Sequence, residues 1–180
     1  MTRRYFEEIQ LLRQNRWIWY ILIVLSSLLV TPILHGMYTQ LISGEPWGDE
    51  PMSDNGLIIF SCAFFLSWAM ITWLLYSMRL EVYIDQDGVH YKFFPNKASW
   101  NVITKRDIVS YEIRRTRNLL ESGGFGYHRN FFRKSQSMVI RGSKHIRFML
   151  SGKHKLLIGT QNPEEFDRAL RRLLSNHLTE

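Results

Sequence analysis

The sequence predicts a membrane α-helical hairpin followed by a mainly β domain, a small antiparallel barrel or sandwich of about seven strands with one C-terminal capping helix. Three observations carry that expectation. Two long stretches contain no Asp, Glu, Lys or Arg: 28 residues between Arg16 and Glu45, and 24 between Asp54 and Arg79. Beyond Arg79 the apolar residues stop running together and alternate with polar ones, the period of half-buried strands. Near the end, Asn162-Pro163-Glu164-Glu165 opens a stretch whose apolar residues recur at helical spacing. The whole chain of 180 residues, 46% hydrophobic with a mean hydropathy of −0.17, looks soluble on average. Its uneven distribution excludes a purely soluble protein and a disordered tail. The single cysteine, Cys62, excludes a disulfide scaffold.

Residues 1–16 form a lead-in segment. Tyr5, Phe6, Ile9 and Leu12 fall on one side between Arg4 and Arg16, which reads as a short interfacial helix. The first transmembrane helix is expected over 17–38. A cleavable signal peptide competes for this stretch, but the apolar run is too long and no small-x-small cleavage site follows it. Pro32 is tolerated near the end of a spanning helix, where neighbouring groups satisfy the freed backbone. The loop 39–56 carries Glu45, Asp49, Glu50 and Asp54 with no Lys or Arg. The second transmembrane helix, 57–78, is apolar all round and interrupted only by Ser61, Ser67, Thr72 and Ser77. Arg3, Arg4, Arg13 and Arg16 precede the first helix, and cations dominate again beyond Arg79. The positive-inside rule then places both termini in the cytoplasm and the acidic loop outside.

The cytoplasmic domain, 79–180, has 19 Lys and Arg against 10 Asp and Glu. Leu80, Val82 and Ile84 alternate into a strand, Asp87-Gly88 makes a hairpin turn, and Val89, Tyr91 and Phe93 return until Pro95. His90 falls on the polar face of that strand and is expected in solvent. Trp100 and Val102, then Val109, Tyr111 and Ile113, suggest two more strands around a turn at Lys105-Arg106-Asp107. A loop from Leu119 to Arg129 holds Gly123-Gly124-Phe125-Gly126. Three short strands follow, marked by Met138/Ile140, Ile146/Phe148/Leu150 and Leu156/Ile158, with His145 on a polar face. A last helix starts at Asn162 as cap with Pro163 in its first position. It presents Phe166, Leu170, Leu173 and Leu174 as one stripe to plug the open end of the barrel.

Strands closed by a terminal helix are also the order of pleckstrin-homology (PH) domains. Tyr83-Ile84-Asp85, Asp87-Gly88-Val89-His90-Tyr91, Gly123-Gly124-Phe125-Gly126 and Leu156-Leu157-Ile158-Gly159-Thr160-Gln161-Asn162-Pro163-Glu164-Glu165-Phe166 resemble a family of bacterial two-helix membrane proteins. Phe6-Glu7-Glu8-Ile9-Gln10 ahead of the first helix is similar to that family too. The resemblance covers nearly the whole chain and implies a multi-pass inner-membrane protein with a PH-like cytoplasmic domain. It implies no activity. Members often carry Trp and an Ile-Arg pair around the Gly-rich loop, where this chain has Phe125 and Tyr127-His128-Arg129.

No enzyme motif is present. Ser151-Gly152-Lys153-His154 lacks the upstream Gly and the Ser or Thr after Lys that a phosphate loop needs. The histidines have no helical i, i+4 partner and no cysteine companion, so no metal site or cofactor is expected. The informative feature is basic: Arg114, Arg115, Arg117, Arg129, Arg133 and Lys134 flank the loop glycines Gly123, Gly124 and Gly126, with Phe125, Tyr127, Phe131 and Phe132 interleaved. Such a cluster is a solvated face or a contact for anionic headgroups, worth about 1 kcal/mol per cation near a membrane. Nucleic acid is not expected of a membrane-anchored chain without a nucleic-acid motif. The expected role is non-catalytic: a scaffold or adaptor contacting the bilayer, anionic phospholipid, a membrane protein partner or another copy in a homo-oligomer. The alternative is an accessory subunit whose helices dock on a larger transporter or enzyme.

Overall fold

The computed structural model describes residues 4–115, 126–130, 135–140 and 144–175. It divides into two compact units, Arg13–Tyr76 on the one hand and Met1–Leu12 with Ser77–Glu180 on the other.

The first unit holds two helices, α1 (Arg16–Leu41) and α2 (Asp54–Ser77), both long and apolar enough to cross a membrane. Pro32 lies inside α1 without ending it. Polar contacts tie the pair at three levels. Arg13 donates to the Tyr76 hydroxyl at 3.2 Å, and Trp68 Nε1 donates to Ser26 Oγ at 3.1 Å. At the far end Gln40 reaches the Met52 carbonyl and Asp54. There Trp47 lies on Gly36 so closely that a Cβ at that position would fall 2.5 Å from its ring. Ser61 is buried, as a small hydroxyl packed at a helix contact should be.

The second unit is mainly β. Its strands are β1 (Phe6–Leu11), β2 (Arg79–Ile84), β3 (Gly88–Phe94), β4 (Lys97–Thr104), β5 (Ile108–Arg115), β6 (Gly126–Asn130), β7 (Ser135–Val139), β8 (Lys144–Leu150) and β9 (His154–Thr160). One sheet runs β1-β2-β3-β4 and the other β5-β8-β9-β7-β6. Among the described residues the two sheets share no ladder, so they are open layers. The pairing is antiparallel except between β7 and β9, which run parallel where an all-antiparallel arrangement was expected. β6 also claims residues that the sequence suggested were loop, because Tyr127 to Asn130 pair with β7.

The main correction concerns the lead-in segment. It is not an interfacial helix: Phe6–Leu11 is a strand, paired antiparallel with β2 from Phe6↔Ile84 to Leu11↔Arg79. The ladder continues through the Leu12 N–H to the Met78 carbonyl. The sequence before α1 and the sequence after α2 are therefore neighbours in one sheet.

The hairpin at Asp87-Gly88 forms as expected, and the Asp85 carboxylate accepts the N–H groups of both residues. Glycine is needed at 88 because a Cβ would meet the Ile103 carbonyl oxygen of β4. The helix α3 (Pro163–Ser175) begins where the cap signal places it, with the Phe166 N–H returning to the Asn162 carbonyl. Phe166, Ala169, Leu170 and Leu173 are buried and the helix packs on β1, β2 and β8. Phe166 lies 4.9 Å from Phe6 of the first sheet and 6.2 Å from Phe148 of the second, so one side chain joins both layers.

Candidate functional site

Two groups of residues outside the apolar core hold polar chemistry. The first is a junction between β1 and the end of β9. The Glu8 carboxylate accepts Thr160 Oγ1 at 2.6 Å, the Gln161 N–H at 2.8 Å and Gln10 Nε2 at 2.8 Å. Gln10 also donates to the Gly159 carbonyl at 2.9 Å and is only 1% exposed. Gly159-Thr160-Gln161, part of the longest segment that carries the family resemblance, is thus held by the segment that precedes the first apolar helix. This junction has structural work to do.

The second group is basic. Of the predicted patch, Arg117, Arg133 and Lys134 and the glycines Gly123 and Gly124 lie outside the described residues. Arg115 ends β5, and only its backbone is described. Arg114 is exposed and pairs with Glu112 at 2.8 Å. Arg129 is exposed on β6 opposite Gln136. Gly126 opens β6 at φ +103°, a conformation that strains any side chain, with Met78 about 4.0 Å from where a Cβ would sit. β5 and β6 occupy opposite edges of the five-stranded sheet. At about 4.8 Å per strand, Arg114 and Arg129 are separated by roughly 19 Å across it. The structure does not bring these two into one patch.

What it brings to Arg129 is a residue that sequence reasoning missed. Lys97, at the start of β4, points its ammonium at Gln136 Oε1 (3.2 Å) and Asn101 Oδ1 (3.4 Å). The same group lies over the rings of Tyr91 (5.4 Å) and Tyr127 (5.9 Å). Burial lowers the Lys97 pKa, and the Arg129 guanidinium lowers it further. The Tyr91 hydroxyl is pushed the other way, up, chiefly by burial and then by Tyr127. Only the three-dimensional pairing of β4 with β3 and of β6 with β7 could have revealed the cluster. Its members are spread from Tyr91 to Gln136 in the sequence.

No known protein family, curated protein or solved structure matches the chain. The functional reading therefore rests on the sequence and the geometry.

The histidines depart from expectation. His90 is buried, its Nε2 donates to the Asp85 carboxylate at 2.9 Å, and its ring stacks on Tyr83 at 4.3 Å. A carboxylate and an aromatic face make burial of this imidazole affordable on a face that the alternation marks as polar. His145 is 1% exposed, and neither ring nitrogen has a partner among the described residues. Burial holds its pKa below the ordinary histidine value. On α3, Tyr111 donates to Asp167 at 2.8 Å while Arg171 holds the other carboxylate oxygen at 2.9 Å. Among the described residues no three His, Cys, Asp or Glu side chains converge to hold a metal.

Proposed function

We propose that the chain is a multi-pass inner-membrane protein of the two-helix, PH-like type that the sequence resembles, with both termini in the cytoplasm. Its role is non-catalytic: the β unit is a contact module for anionic lipid headgroups, which also positions it to meet a membrane protein partner. The observation that carries this reading is the β1–β2 ladder. Chain that leads into α1 and chain that leaves α2 are adjacent strands, so the two helices enter and leave through one sheet, as a hairpin with both ends on one side requires. The cation asymmetry of the sequence then selects the cytoplasmic side. The β unit cannot diffuse away from the bilayer, so weak attraction by its cations is enough to set its orientation.

Two measurements test this. A cytoplasm-active reporter fused after Glu180 and an externally active one inserted near Trp47 should both work; the opposite pattern refutes the topology. For the headgroup contact, the full-length protein is placed in nanodiscs of phosphatidylcholine with or without phosphatidylglycerol. Amide exchange in β6 and β7 should slow in the anionic discs, and added salt should reverse it, since screening shortens such attraction to about 10 Å at 0.1 M. Identical exchange in both discs refutes the lipid reading.

A further inference from the structure

We propose that the outer face of the first sheet, carrying Ile9, Tyr83, Lys92, Phe94, Trp100 and Val102, lies on the interfacial zone of the bilayer that the two apolar helices enter. This goes beyond the headgroup contact and rests only on the spanning-helix part of the reading above.

The ladders define the face. Leu80, Val82 and Ile84 of β2 are buried, so Arg79, Glu81 and Tyr83 stand on the other side of the sheet. There Glu7, Tyr83, His90 and Val102 share a rung, Ile9, Glu81 and Lys92 share another, and Leu11, Arg79 and Phe94 share the last before Met78. Trp100 joins this face through Tyr83, which it meets edge-on at 4.8 Å. Ile9 on one outermost strand is 54% exposed, and Trp100 and Val102 on the other are 45% and 47% exposed. Exposed apolar groups are thus present at both margins of the four-stranded sheet, a width of about 14 Å at the usual strand spacing. Apolar residues scattered singly over a surface are ordinary, whereas a patch of this kind marks a contact.

Its chemistry is that of a membrane interface, where amphipathic rings and long basic side chains concentrate. Three cations lie over its rings: Arg4 over Tyr83 at 4.7 Å, Lys92 over Trp100 at 5.6 Å and Arg79 over Phe94 at 5.8 Å. The two carboxylates on these rungs are each held by one of those cations, Glu7 by Arg4 at 2.7 Å and Glu81 by Arg79 at 2.9 Å. The charge left over is the ammonium of Lys92, which suits a surface that bears anionic lipid. Connectivity names the occupant. One residue, Met78, separates α2 from β2, and four, 12–15, separate β1 from α1. The bilayer is therefore the apolar phase permanently tethered to this sheet, whereas a soluble partner would lose its translational freedom on binding.

The test uses the full-length protein in nanodiscs of phosphatidylcholine with or without phosphatidylglycerol. Cys62→Ser removes the native thiol, and each variant carries a spin label on one introduced cysteine. Ile9→Cys and Val102→Cys probe the face. Ile71→Cys, at an exposed position of α2, is the lipid reference, and Ser110→Cys, exposed on β5, is the water reference. Power saturation reads collisions with oxygen, which concentrates in lipid, and with a nickel chelate, which stays in water. Nickel accessibility at positions 9 and 102 should fall several-fold below that at 110 while oxygen still reaches them. The effect should be the same in both kinds of disc and after adding salt, because salt screens charges and not apolar contact. Trp100→Asp should raise nickel accessibility at both positions. Ile9→Asp, read from the label at 102, makes the same test without touching the Trp100–Tyr83 contact. The melting temperature of each variant in detergent reports whether it is folded. Nickel accessibility at 9 and 102 equal to that at 110, with 71 shielded, overturns the bilayer contact and leaves the spanning helices standing. Shielding from nickel and oxygen alike means that a second copy or another protein covers the face, and overturns it too. Shielding seen only with phosphatidylglycerol overturns the apolar contact in favour of headgroup attraction. A nickel-accessible label at 71 overturns the spanning helices and this inference together.

Discussion

Replacing Glu8 with alanine should destabilise the β unit severely, while the same change at the adjacent Glu7 should scarcely matter. Glu8 accepts three hydrogen bonds, from Thr160, Gln161 and Gln10. Bonds to a charged acceptor contribute about 1.5–3 kcal/mol each, and a buried donor left without a partner costs about 1–3 kcal/mol. Two of the donors, on Thr160 and Gln10, belong to residues only 1% exposed. The Gln161 amide sits on an exposed residue and can turn to water, and Gln10 keeps its bond to Gly159. With those discounts the loss is about 2–3 kcal/mol. For a unit of about 100 residues it should lower the melting temperature by roughly 10–20 °C. Glu7 is exposed and, among the described residues, its carboxylate pairs only with Arg4 at 2.7 Å, a surface contact that solvent screens. The assay is thermal unfolding of the full-length protein in detergent, read by circular dichroism at a strand-sensitive wavelength. Hydrogen exchange at Gln161 and along β1 should localise the damage. Equal melting temperatures for Glu7→Ala and Glu8→Ala would refute the junction as a source of stability.

Two further outcomes follow from single residues. His145 has its folded pKa lowered by burial, so the unfolded chain binds its proton more readily than the native one. Stability is then complete above the unfolded value of about 6.5 and declines as the pH falls below it. His145→Leu should flatten the dependence of melting temperature on pH between about 7 and 5, and it should not destabilise at pH 7, because both ring nitrogens lack partners among the described residues; an unchanged pH slope would count against this. In the helical unit, Gly36→Ala should cost about 1–3 kcal/mol by overpacking Trp47. The penalty should vanish in a Trp47→Ala background, measured by unfolding in mixed detergent, and a penalty surviving there would place the strain elsewhere.

Much of this architecture could be read from the residues. The charge-free stretches mark both apolar helices to within a few residues. Asp87-Gly88 marks the first hairpin, and Asn162-Pro163 marks the start of α3. Those features are local, set by side-chain chemistry within a few positions. β1 was hidden for the opposite reason. Its inward residues include Gln10, 1% exposed, whereas Ile9 beside it is 54% exposed. The hydrophobic alternation of an ordinary half-buried strand is inverted, because Glu8 and Gln10 are turned inward to satisfy backbone and side-chain groups some 150 residues away. The remaining apolar residues, Tyr5, Phe6, Ile9 and Leu12, happen to imitate helical spacing. His90 misleads in the same way, since an imidazole on a polar face becomes a buried one once Asp85 and Tyr83 enclose it. Of the basic residues, the run of arginines drew attention by density, but Lys97 acquires its meaning only from tyrosines and a glutamine on other strands.

The placement of β1 has a consequence for how the protein is made. Residues 6–11 leave the ribosome before both apolar helices, yet their ladder partner, β2, lies beyond those helices. The Thr160 hydroxyl that Glu8 accepts is synthesised 152 residues after Glu8 itself. At a translation rate of about 5–20 residues per second, the strand waits roughly 8–30 s for that last partner. During that interval an unpaired edge and the Phe6 side chain are exposed to solvent and to other nascent chains. Both apolar helices must also be synthesised before the strand can close the sheet. Completion of the β unit is thus a late event, and on the proposed two-span topology a chain in which only one of the helices inserts leaves β1 and β2 on different sides of the bilayer, each with an unpaired edge.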